Sequence, residues 1–140
     1  MNTELLRLYA LQFAGLPYIW GGDDPILGFD CSGFAQEILL AFGAHPNPPT
    51  DLTAQGLYDA LSKTGQYNST LVGALAFYGK SHLNITHVAV IIGNNLIIEA
   101  GGGGSATTSA AAAARNNAYI RIRPLHRRKD LIACILPKYP

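Results

Sequence analysis

Two cysteines, Cys31 and Cys134, are too few and too far apart to staple a small fold through a disulfide framework. Charged residues are also scarce, at 14%, and the formal net charge is +1. Without a strongly basic composition, nucleic acid is not the expected partner. No apolar run is long enough to cross a bilayer, so no membrane span is expected. The first residues lack the basic n-region and small-residue cleavage site of a signal peptide. Glu4 and Arg7 interrupt their apolar pattern, which reads instead as an amphipathic helix. No internal repeat is present. What the chain has is apolar residues, 49% of its 140, enough for the core of one domain over residues 1–140.

The order of local patterns predicts an α+β fold, with N-terminal helices packed on an antiparallel sheet. Thr3 is expected to cap a helix that ends at Gly15, before Pro17. A loop over 18–29 leads to a second helix, Cys31 to Phe42, and Gly43 supplies its stop. The segment from His45 to Thr50 contains three prolines and cannot be helical. Asp51 or Thr53 opens a shorter third helix through Leu57 and Leu61. Strands are expected at Ala74–Tyr78, around His87, around Glu99, at Ala118–Arg123 and at Leu131–Leu136. Cys134 lies in the last, a continuous apolar run, and reads as a buried structural thiol.

Cys31 is placed differently. It stands in Phe29-Asp30-Cys31-Ser32-Gly33-Phe34, where a loop gives way to helix-spaced Phe34, Ala35, Ile38 and Leu39. Unpaired N–H groups and the dipole at a helix start favour a thiolate, which a nucleophile needs. Locally, a small buried hydrophobe fits equally well.

His87 and Glu99 interrupt two apolar strands joined through Gly93-Asn94-Asn95. A three-residue turn closed by Ile92 and Leu96 pairs Ala89 with Glu99, setting Glu99 and His87 on one face as diagonal neighbours. A two-residue turn at Asn94-Asn95 slips the register and sends Glu99 to the other face. The odd-length turn is the expectation. Cysteine, histidine and carboxylate then form a nucleophile, base and orienting group.

Tyr18-Ile19-Trp20-Gly21-Gly22, Asp30-Cys31-Ser32-Gly33-Phe34 and His87-Val88-Ala89-Val90, in that order, resemble the NlpC-type cell-wall peptidases. These are papain-like cysteine peptidases that cut peptide bonds in peptidoglycan. The run Glu99-Ala100-Gly101-Gly102-Gly103-Gly104 is more similar to the phage-borne branch than to the secreted lipoproteins. The resemblance implies Cys31 as nucleophile, His87 as general base and Glu99 as its orienting residue, a position where the family often has His. It also implies Tyr18 as a phenol near the oxyanion. The implied substrate is the stem peptide, cut between γ-D-glutamyl and a diamino acid, with no metal or organic cofactor. An amidase or acyltransferase on the same scaffold, and a non-catalytic wall- or partner-binding module, stay open. With no signal peptide expected, the resemblance leaves delivery to the wall to a phage tail, a holin-released lysin or a secretion apparatus, whose proteins would be partners.

Other residues have plain readings. His45, His82 and His126 have no second metal ligand at short spacing. Asp23 and Asp24 suit a turn, and His126-Arg127-Arg128-Lys129 suits a solvated face. Trp20 faces substrate or core. The low-complexity stretch from Gly101 to Ala114 is either a flap beside the site or a passive loop ending in a helical turn.

Overall fold

The computed structural model describes every residue except Ile26 and Pro49, which fall in the 18–29 loop and the Pro-rich segment. Helix α1 (Thr3–Leu11) starts one residue earlier than its sequence suggests. The Asn2 side chain, not Thr3, accepts from the Leu5 N–H at 3.0 Å. The helix also stops short of Gly15, closing in hydrogen-bonded turns over 12–15. Within the following loop, β1 (Asp23–Asp24) and β2 (Gly28–Phe29) form a small antiparallel pair. Asp24 takes the expected turn role, accepting from the Leu27 N–H.

Helix α2 (Cys31–Ala41) follows directly and buries Phe34, Ala35, Ile38 and Leu39 almost completely. Full burial of an apolar side chain of this size contributes roughly 1.5–3 kcal/mol. Phe13, Phe29 and Phe34 meet edge to face with centroids 5.6–5.9 Å apart. Their contact ties the turn after α1 and strand β2 to the first turn of α2, and so helps fix where Cys31 emerges. Helix α3 (Ala54–Leu61) is capped by Thr53, whose hydroxyl accepts from Gly56 N–H at 3.0 Å.

The remaining chain builds a six-stranded antiparallel sheet. Its strands are β3 (Gln66–Tyr67), β4 (Leu75–Ser81), β5 (Asn84–Gly93), β6 (Leu96–Gly101), β7 (Tyr119–Pro124) and β8 (Leu131–Leu136), in spatial order β3-β8-β4-β5-β6-β7. The short α4 (Ala110–Arg115) lies between β6 and β7 in sequence. Leu75, Phe77, Val88, Val90 and Ile98 pack with the helices in the main core. Ala76, Tyr78, Ala89, Ile91, Ile97, Leu125 and Cys134 make a second cluster from the alternate positions. Burial of both faces explains why the β5 sequence is continuously apolar and does not alternate. Cys134 is a free, buried thiol whose pKa burial pushes up.

Candidate active site

Cys31 is the first residue of α2, and Asp30 is its cap. One Asp30 oxygen accepts from Gly33 N–H at 2.7 Å and the other from Gly21 N–H at 3.0 Å. A single carboxylate thereby joins the helix start to the Trp20-Gly21-Gly22 loop. Burial raises the Asp30 pKa despite these two bonds. The glycines have a steric reason. A Cβ on Gly33 would collide with the Gly22 carbonyl oxygen, and one on Gly22 would lie 2.7 Å from the Gly28 oxygen. The two sequence blocks that flank the thiol are therefore packed backbone against backbone.

His87 is 7% exposed on β5, and Glu99 is 2% exposed on β6. His87 Nε2 and Glu99 Oε1 are 3.4 Å apart. The route to this geometry differs from the expected turn. Asn94 and Asn95, both at φ +55°, form a two-residue turn between Gly93 and Leu96. A bulge between Ile91 and Gly93 takes up the extra residue, so Ile91 faces Ile97 and Val90 faces Ile98. Continued, that register sets Glu99 opposite Ala89 on the His87 face. The odd residue sits in the strand instead of the turn.

Burial disfavours a charged His87 ring, but its interactions with Cys31 and Glu99 outweigh that cost and push its pKa up to about 9. Burial likewise opposes a charged Glu99. His87, together with Arg127 and Arg123, nonetheless holds its carboxyl below the usual range. Tyr18 is 6% exposed. Burial and the proximity of Cys31 and Asp30 keep its phenol protonated far into the alkaline range, so it remains a donor.

Two cavities meet at the thiol, and Tyr18, Cys31 and Thr86 line both. The smaller, of about 170 Å³, is also lined by His87, Glu99 and Arg127. The larger, of about 320 Å³, is lined by Trp20, Asp30 and Asp51. Trp20 is 53% exposed and so faces the cleft, not the core. The glycine run edges the smaller cavity, and a Cβ on Gly103 would strike the Tyr18 ring. The run is also fastened: buried Thr107 accepts from Trp20 N–H through its carbonyl at 2.7 Å, and Gly104 N–H donates to its hydroxyl.

The 126–129 charge run is solvated as expected at His126, Arg127 and Lys129, with Arg128 half-buried, but its two arginines also make contacts. Arg127 reaches within 3.5 Å of Glu99 Oε2, while Arg128 pairs with Asp130 and sits 5.2 Å over the Tyr78 ring. No short-range pattern links them to Glu99, which is why the sequence does not reveal the contact. Buried Gln36 likewise carries no signal in the sequence. Its side chain bonds Asp51, Leu52 and His45, fixing the far wall of the larger cavity. His45 has this structural role.

A cysteine at a helix start, a histidine held by a carboxylate and a neighbouring phenol are equipped for nucleophilic acyl transfer. Solved structures with the same fold include the NlpC/p60 domain of the peptidoglycan hydrolase SagA (TM-score 0.67, 21% identity, 96% of this chain and 98% of that one). Another is RipD of Mycobacterium tuberculosis, described as a non-catalytic NlpC/p60 protein adapted to peptidoglycan binding (TM-score 0.65, 19% identity, 96% and 95%). The NlpC/P60 family model matches residues 15–123, and the chain belongs to that family.

Among curated relatives, the bifunctional muramidase/DL-endopeptidase CwlT of Bacillus subtilis is 37% identical over 93 residues, covering 65% of this chain and 27% of CwlT. The probable peptidoglycan endopeptidase LytE of the same organism is 30% identical over 95 residues, 68% of this chain and 26% of LytE. The chain thus matches about a quarter of the length of either relative.

Proposed function

We propose that this chain is a cysteine endopeptidase of peptidoglycan that cleaves the stem peptide between γ-D-glutamyl and a diamino acid. The observation that carries the reading is the shared cavity of Cys31, His87 and Glu99, with the His87 ring 3.4 Å from the carboxylate. The DL-endopeptidase name of CwlT supports the choice of bond.

The thiol proton passes first to His87, and the deprotonated Cys31 sulfur then attacks the amide carbonyl carbon beside the charged ring. With Nε2 turned to Glu99, the other ring nitrogen is the one that exchanges protons. Charge gathers on the carbonyl oxygen, where the Cys31 backbone N–H and the Tyr18 hydroxyl are the proposed donors; loss of one such donor typically costs about a hundredfold or more. The C–N bond breaks as His87 protonates the leaving amine. Water then attacks the thioester, His87 takes its proton, and the thiol is released with the acid product. Glu99 holds the ring and stabilises its charged form.

Purified sacculi incubated with wild type and Cys31→Ala test the reading. New free amines on the diamino acid, absent with the variant, support it. Free amines on L-alanine would make the chain an amidase, and a transferred acyl group an acyltransferase. Sacculus binding with no new amine would make it a binding module.

A further inference from the structure

The two flanks of the cleft differ in their charged side chains, and His87 stands on one of them. The larger cavity carries the carboxyl groups of Asp30 and Asp51. The smaller carries two guanidinium groups, Arg127 and Arg128, against the one carboxylate of Glu99. His87 lines the smaller cavity alone, whereas Cys31 opens on both. The departing amine must receive its proton from His87, so the amine side of the scissile bond lies toward the smaller cavity. The acyl side then extends toward Trp20.

Arg127 is built into this position. The 125–130 connection is anchored where buried Tyr78 donates its hydroxyl to the Leu125 carbonyl at 2.7 Å. Arg128 lies over the same ring and is held by two hydrogen bonds to Asp130. Arg127 next to it approaches Glu99 at 3.5 Å, longer than a close hydrogen bond, and its side chain is 40% exposed. A guanidinium so held has donors left over for a second carboxylate.

We infer that Arg127 is a specificity-determining residue that binds a free carboxylate on the amine-side residue of the substrate. The site therefore prefers an acidic leaving group over its carboxamide. This rests on the peptidase reading above, and names the substrate class that reading leaves open.

The test uses two synthetic γ-glutamyl–diamino acid peptides that differ only in a carboxylate or carboxamide on the diamino acid. Wild type should cleave the carboxylate form with a kcat/KM greater by on the order of tenfold, the discrimination one charge-assisted contact supplies. Arg127→Gln should bring the ratio to about one, chiefly by raising KM for the carboxylate peptide. Arg127→Lys should retain part of the preference. Equal wild-type rates on both peptides would overturn the inference and leave the peptidase reading intact. So would an Arg127→Gln variant slowed equally on both, since that marks support of Glu99 alone. Cleavage of neither peptide by wild type would overturn the peptidase reading and this inference together.

Discussion

At the scale of single residues, Cys31 and Cys134 illustrate how position decides the fate of a thiol. Cys31 is partly accessible where two cavities meet, whereas Cys134 is 7% exposed and burial pushes its pKa up. Iodoacetamide on the folded protein at neutral pH should therefore modify Cys31 and spare Cys134, as peptide mapping by mass will show. Equal modification would contradict the assigned environments. Glu99 acts through His87, so its removal should leave residual activity. Glu99→Gln should lower turnover by about tenfold to a thousandfold, less than Cys31→Ala. The alkaline limb of the pH–rate profile should also move. In wild type, loss of the charged ring is expected near pH 9. Without the Glu99 charge that limb should shift toward lower pH. An unmoved limb would separate Glu99 from the His87 titration.

At the scale of elements, the β5–β6 hairpin decides whether the site exists. The side-chain alternation of a strand means that one residue of slippage would turn Glu99 away from His87. The bulge near Ile92 and the Asn94-Asn95 turn jointly set the working register. Asparagine tolerates the positive φ of that turn, while a β-branched residue pays about 1–2 kcal/mol at each position. The double change Asn94→Val, Asn95→Val should accordingly destabilise the fold by roughly 2–4 kcal/mol, measured by urea unfolding. Loss of activity beyond the unfolded fraction would show that the hairpin also sets the His87–Glu99 geometry. The 125–130 connection plays a parallel part for the basic flank, because Tyr78 holds Leu125 and Tyr78 and Asp130 fix Arg128, the neighbour of Arg127.

At the scale of the whole molecule, a buried His–Glu pair couples the site to global stability. His87 has a folded-state pKa near 9, above its ordinary 6.5. Its stabilising contribution is complete below about pH 6.5 and is lost as pH rises through 9. Glu99 is lowered from 4.5, so its contribution is present above that value and lost as acid protonates the folded carboxylate. Thermal unfolding followed by circular dichroism should show Tm falling between pH 6.5 and 9. In Glu99→Gln that fall should be shallower. A wild-type Tm that is level through this window would contradict the raised His87 pKa.

The sequence by itself determined the helix that presents Cys31, because its apolar spacing and following glycine are local signals, while the Asp30 cap was recognised only in the structure. It determined β8 from its apolar run and identified His87 and Glu99 as polar residues on apolar strands. It also carried the blocks that resemble the NlpC-type peptidases. The small β1–β2 pair and β3 were not legible, since two-residue strands exist only through their partners. Tertiary structure decided the rest. The bulge that sets the hairpin register lies in a strand buried on both faces, where no side-chain alternation marks it in the sequence. Arg127 reaches Glu99 only because the connection between β7 and β8 folds over Tyr78. Local patterns reflect interactions within a turn or a strand, while the electrostatics of this cleft arise between groups that only packing brings together.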